Sequence, residues 1–193
     1  LKRNNDEGYK LEVRIDIDRD NDTITIIDNA AGIGLDNYYR AFEPANIPTD
    51  NSGLHEYGMG MKTASIWLSD IWSVRTKALD ENEERFVEFD LKKVIKENKE
   101  VLNVVKKPKA AKEHYTRITL RQLSDNAPTS HQIDKIKRHL ASIYRNFIRS
   151  GDLQLYINKE LLIFDDPEIL KAPYYKNLEG ENILWKKSID FSM

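Results

Sequence analysis

The sequence predicts an α/β fold, and three observations carry that expectation. Residues 10–18 alternate apolar Leu11, Val13, Ile15 and Ile17 with charged neighbours, the period of a half-buried strand. After the turn at 19–22 the β-branched run Thr23–Ile27 follows as its hairpin partner. Further on, Ile133, Ile136, Leu140, Ile143 and Phe147 recur at helical spacing within a long helix over 132–149. Strand and helix patterns alternate in this way along the chain, which is the signature of mixed layers.

The other elements are read in the same terms. Leu35–Phe42 is a short helix with Asp36 near its start, and 43–52, with two prolines and no periodicity, is a loop. Lys62–Leu68 is a helix that stops near Ser69 and Asp70; Ile71–Lys77 and Arg85–Asp90 are strands joined by an acidic turn. Trp67 and Trp72 lie in apolar periodic segments and are assigned to the core. Leu91–Val105 is amphipathic and mostly helical, 105–114 is a lysine-rich loop, and Tyr115–Arg121 is a strand. Gly151 stops the long helix. Leu153–Ile157 and Leu161–Phe164 form a second hairpin about Asn158 and Lys159, and 182–189 is one more strand candidate. Two units are expected, 1–124 and 125–193.

Composition removes several classes of function. The 193 residues suffice for one large domain, and 40% hydrophobic residues is ordinary for a globular chain. No apolar run approaches membrane-spanning length and no signal peptide is visible. There is no cysteine, so disulfides, thiolate metal sites and cysteine nucleophiles are excluded; this fits a reducing compartment, cytoplasmic or nuclear. The four histidines show no metal-ligand spacing, and the acidic turn at 19–22 lacks the glutamate a calcium loop needs. Net charge is −2, but residues 92–150 hold 15 Lys and Arg against 5 Asp and Glu, a basic block within an acidic chain.

Chemistry concentrates in 24–64. The run Ile24–Ile27 ends in Asp28, followed by a turn containing Gly32 and Gly34. A carboxylate at a strand end, beside a turn that lets a flat ring approach, can accept a hydrogen bond from an exocyclic amine. Gly58, Met59, Gly60 and Met61 then open a helix, whose free N–H groups and positive dipole end suit an anion. Lys62 adds a point charge. The pattern is neither a P-loop nor the dinucleotide fingerprint.

The pair of blocks resembles the ATP-binding family of DNA gyrase, the ninety-kilodalton heat-shock chaperone, histidine kinases and MutL. Its Asp-x-Gly-x-Gly box resembles Asp28–Gly32, with Ala30 at the first glycine, and its Gly-x-Gly box resembles Gly58-Met59-Gly60. Within the family, Leu35–Phe42 and Tyr57–Ser65 are most similar to the MORC-type ATPases. The resemblance implies a Bergerat-type two-layer α/β sandwich, followed from 125 by the start of a transducer-like α/β domain. It implies ATP with Mg²⁺, adenine on Asp28, close approach of the base at Gly32, and Ile27 and Ile33 lining the pocket. Phosphates fall on Gly58, Met59, Gly60, Met61 and Lys62, with residues 43–52 as a closing lid.

Thr116, at the start of a strand where the family has Gly-Thr, becomes the partner of Asp28. The water-activating glutamate and Mg²⁺-binding asparagine are expected on a helix upstream of residue 10; Asn4 and Asn5 are not assigned to it. The implied behaviour is an ATP-dependent homodimer acting on DNA through basic residues in 92–150, with no membrane association. A histidine kinase catalytic domain and a non-catalytic nucleotide-binding module remain the alternatives, and a chaperone-like role is a weaker one.

Overall fold

One mixed sheet of eight strands carries the described part of the molecule in a computed structural model, which describes residues 9–42, 59–98, 103–165 and 172–183. In chain order the elements are β1 (Leu11–Asp18), β2 (Thr23–Asp28), α1 (Leu35–Phe42), α2 (Gly60–Leu68), β3 (Ser69–Lys77), β4 (Glu83–Asp90), α3 (Leu91–Glu97), β5 (Val105–Pro108) and β6 (Tyr115–Leu123). Next come α4 (Ile133–Ile143), α5 (Arg145–Ser150), β7 (Leu153–Ile157), β8 (Glu160–Leu161), β9 (Ala172–Pro173) and β10 (Asn182–Ile183). The sheet order is β5-β4-β3-β6-β2-β1-β7-β8, and β9 pairs β10 separately. Every pair in the sheet is antiparallel except β1–β7, which is parallel. No helix among the described residues is long and apolar enough to cross a membrane.

Alternation along each strand gives the sheet two different faces. Register aligns Ile15, Ile26, Ile118, Val74 and Val87 in one row, and Ile17, Ile24, Leu120, Trp72 and Phe89 in the next. These rows form the core under α2, with Trp72 stacked on Phe89 at 4.2 Å. A second cluster lies under α4 and α5, where Leu153, Leu155 and Ile157 meet Ile136, Leu140 and Ile148. The opposite face carries Glu12, Arg14, Arg117, Arg75, Glu84 and Glu88, paired as Glu12–Arg14 and Arg75–Glu84. The architecture is therefore the expected two-layer α/β sandwich, helices on one face.

Several local expectations need correction. The long helix is two: it starts in a Thr129–Gln132 capping box and breaks at Tyr144. The break shifts the phase, so Tyr144 and Ile148 turn inward while Ile143 and Phe147 are exposed. Trp72 is buried, but Trp67 is 63% exposed, because Met61, Ser65 and Leu68 hold the sheet-facing side of α2. The amphipathic helix ends at Glu97, where Asn98 takes a left-handed conformation. Part of the lysine-rich loop is edge strand β5, on β4.

The hairpin β7–β8 is built into the main sheet through β1, and its helices cover that sheet. The basic block is thereby divided. α3 and β5 stand at one edge, while α4 and α5 cover β7, six strand spacings or about 29 Å away.

Candidate nucleotide site

Asp28 is the last residue of β2, and at its row the apolar ladder turns polar. Register places Asp28 opposite Thr116, and Thr116 opposite Thr76. All three stand on the helix-covered face, one row beyond Ile26, Ile118 and Val74. Ile27, adjacent in sequence, belongs to the other face with Arg14 and Arg117. It cannot line a pocket formed over Asp28, because alternation sends neighbouring side chains to opposite sides.

The Asp28 carboxylate accepts the Ala30 N–H at 2.9 Å, and the Thr116 N–H also favours its charged form. Burial outweighs these bonds and the nearby His114, and pushes its pKa up. A carboxylate has about four acceptor positions, so two backbone donors leave capacity for an amine.

The glycine turn is riveted to the end of β3. Gly32 has φ +71°, and a Cβ there would come within 2.1 Å of the Lys77 carbonyl oxygen, so only glycine fits. Ala31 O accepts the Leu79 N–H at 2.9 Å, and Thr76 Oγ1 accepts the Ile33 N–H at 2.8 Å. Ile33 itself packs against the core.

Glu81 accepts the Leu35 N–H at 2.8 Å, which caps the start of α1 from another element, and it also pairs with Arg85. Burial raises the Glu81 pKa, but the Leu35 N–H and Arg85 outweigh it and hold the carboxyl below its usual range. The buried Arg85 lies over the ring of Tyr38 on α1, whose hydroxyl is pushed up to about 12 by desolvation.

Three contacts were not legible in the sequence. His114 Nδ1 lies 3.0 Å from Ala30 O, so that nitrogen carries the proton and donates. Asn29 Oδ1 accepts the Glu12 N–H at 2.8 Å, and the Tyr9 hydroxyl donates to Asn29 O. All three steady the turn after Asp28. No local pattern announces them, since each joins residues 17 or more positions apart.

The anion-binding half is described from Met59 onward; Gly58 and the lid segment lie outside the described residues. Met59 and Gly60 are exposed, and a Cβ at Gly60 would meet nothing within 4 Å. Within α2, the Thr63 N–H donates to Met59 O at 2.9 Å. The N–H groups of Gly60 and Met61 open the helix, the end whose backbone donors and positive dipole suit an anion. Lys62 is half-buried on the first turn. These features fit a nucleotide: an acceptor for the base, a close backbone approach, and amides with a lysine for phosphate. They do not supply a metal cage, because no group of three His, Asp or Glu among the described residues could hold an ion.

This sandwich, with a carboxylate at a strand end and a helix N-terminus on the same face, has the layout of a nucleotide-binding fold. A family model described as histidine kinase-, DNA gyrase B- and HSP90-like ATPase matches residues 7–126. The chain belongs to that family, whose fold binds ATP. Comparison with curated protein sequences finds no significant match.

Among solved structures, the chain is similar to the ATPase and transducer domains of DNA topoisomerase II from Balamuthia mandrillaris. The TM-score is 0.56 at 17% identity, over 78% of this chain and 42% of that one. The ATPase region of Saccharomyces cerevisiae topoisomerase II is similar with TM-score 0.51 at 13% identity, over 79% and 43%. The chain thus spans less than half of either structure, and at these identities the likeness concerns the fold.

Proposed function

We propose that the protein binds ATP between the Asp28–Thr116–Thr76 row and the N-terminus of α2, and that the nucleotide drives a conformational change. The single observation that supports this most is the pairing of Asp28 with Thr116 on the helix-covered face. An ionised carboxylate accepts from the adenine amine, and a hydroxyl beside it can donate to the ring nitrogen next to that amine. Spacing agrees: α2 covers about 14 Å of the roughly 23 Å of strand from Ser69 to Thr76. Both Met61 and Leu68 pack on the core, so α2 lies along the sheet. Its N-terminus therefore stops roughly 10 Å short of the Asp28 row, a span that a nucleoside bridges.

ATP with bound Mg²⁺ is the proposed ligand, its triphosphate facing Met59, Gly60, Met61 and Lys62, with Gly58 as part of the same loop. The general base and the metal-binding asparagine are proposed to lie on a further helix. Among the described residues, Val13, Ile15, Ile26 and Ile118 stay half-buried on this face, which supports a helix there. Lid closure over ATP, homodimerisation and hydrolysis complete this reading. Tyr57–Ser65 and Leu35–Phe42 support a place near the MORC-type ATPases, and the segment from 125 is proposed as the start of a transducer-like unit joined to the sheet through β7. Action on DNA would use one edge of the divided basic block.

One observation favours a second reading, a module that binds ATP without turning it over. In the three rows from Val13 through Asp28, Thr116 and Thr76 down to Trp72, Asp28 is the one carboxylate.

Calorimetric titration of ATP, with and without Mg²⁺, combined with phosphate release separates the readings. Binding with release supports the ATPase; binding without release supports the module; no binding removes both. Lys62→Ala is expected to weaken ATP about tenfold while leaving adenosine affinity unchanged. Equal loss for both ligands would take Lys62 out of the phosphate site.

A further inference from the structure

Thr76 continues the column Trp72–Val74 on the core face of β3, and it is fully buried. Valine would suit such a position by propensity and by burial. The hydroxyl is instead within hydrogen-bond reach of three groups. It accepts the Ile33 N–H at 2.8 Å, lies 3.2 Å from Thr116 Oγ1, and lies 3.2 Å from the Tyr115 carbonyl. It therefore touches the glycine turn and the β6 strand, the two elements that recognise the base in the reading above.

A hydroxyl has one proton to give. With one lone pair of Thr76 Oγ1 taken by the Ile33 N–H, its proton can go to Thr116 Oγ1 or to Tyr115 O. If it goes to Thr116, that hydroxyl has accepted its bond and its own proton is available to the base. The chain then runs one way, from Ile33 N–H to Thr76 to Thr116 to the ligand, and each bond polarises the next. A ligand with an acceptor nitrogen beside its exocyclic amine selects this arrangement; one with a donor there opposes it.

We propose that Thr76 is a positioning residue for base recognition, holding the Thr116 hydroxyl as a donor toward the base edge beside Asp28. This rests on the nucleotide reading given above. Thr76 acts through Thr116 and does not touch the base. Its consequence is selectivity for a purine that offers an amine at C6 and an acceptor at the neighbouring N1, as adenine does; guanine has a carbonyl at C6 and a donor N1–H beside it.

The test compares ATP, 1-deaza-ATP, which lacks the ring acceptor, and purine riboside triphosphate, which lacks the amine. Affinities are measured for the unmodified protein, Thr76→Val and Thr76→Ser, with urea melts confirming that each folds. The unmodified protein should prefer ATP to 1-deaza-ATP about tenfold, one good hydrogen bond. Thr76→Val should bring that ratio toward one, leave the ratio of ATP to purine riboside triphosphate unchanged, and be rescued by Thr76→Ser. An unchanged 1-deaza ratio in Thr76→Val, whatever the loss in overall affinity, overturns the proposal and leaves the nucleotide site standing. No ATP preference over 1-deaza-ATP in the unmodified protein overturns the base assignment itself, and the role of Thr76 with it.

Discussion

The Asp28 carboxylate is held between opposing effects: burial disfavours its charge, while the Ala30 and Thr116 N–H groups and His114 favour it. Because its folded pKa is raised, its contribution to stability is fully present below the unfolded value near 3.9 and is lost as pH rises through the folded value. Binding has the opposite sign, since the amine needs the ionised form. ATP affinity should therefore fall on acidification at a higher pH than an ordinary aspartate would give. Asp28→Asn removes the charged acceptor. It should cost about ten- to a hundredfold in ATP affinity and collapse the preference for adenine over guanine nucleotides. In urea the ligand-free variant should be more stable than the unmodified protein at neutral pH, with the gain shrinking near pH 4. If guanine nucleotides bind the unmodified protein as well as ATP does, the Asp28 assignment is wrong.

Among the elements, α1 depends on a residue outside itself. Its first turn is preceded by Gly34, which brings no capping side chain, and Glu81 from the β3–β4 turn accepts the Leu35 N–H instead. Glu81→Ala should cost about 1 kcal/mol, the usual loss of a helix cap, and should leave Arg85, among the described residues, with only its longer pair to Glu83. The Glu81 pKa is depressed in the folded state, so its contribution is present above the ordinary value near 4.3 and is lost as pH falls through the folded value. Denaturant midpoints at pH 7 and pH 3 should differ more for the unmodified protein than for Glu81→Ala. An identical pH dependence would show that the cap contributes nothing. Because α1 leads from the glycine turn toward the lid segment, the same variant should weaken ATP more than adenosine.

On the scale of the molecule, the parallel pairing of β7 with β1 joins the C-terminal helices and hairpin to the nucleotide half. Ile15 packs against both hydrophobic clusters, so the two are continuous beneath the helices. Residues 9–161 should therefore unfold as one unit rather than two. Ile157 is fully buried in β7. Ile157→Ala should cost about 2–5 kcal/mol and shift the tryptophan-fluorescence and far-ultraviolet dichroism transitions together. Two separated transitions would show that the hairpin folds apart from the sheet. The divided basic block belongs to this scale as well: its helical and β5 charges, near in sequence, stand toward opposite ends of the sheet, with Arg117 and Arg121 on β6 between them.

By itself the sequence determined what local spacing and backbone chemistry can encode. Period-two alternation marked β1, β6 and β7 and a β-branched run marked β2; Gly32 and Gly151 marked turns; and Asp28 marked a strand end with an acceptor to offer, to which the family resemblance added Thr116. The glycine boxes went further, since their order and spacing identified the family. Only the tertiary structure decided which faces and which partners those elements take. Periodicity groups Ile27 with Thr25 and Thr23, but it does not say that this group looks away from Asp28. It finds an apolar side on α2 without saying that Trp67 stays outside, and it cannot see a helix break that turns Tyr144 inward and Phe147 outward. The roles of Glu81, His114, Asn29 and Thr76 were hidden for the same reason. A hydrogen bond between residues distant in sequence forms only once burial of the whole sheet has brought them together, and that burial is a property of all the strands at once.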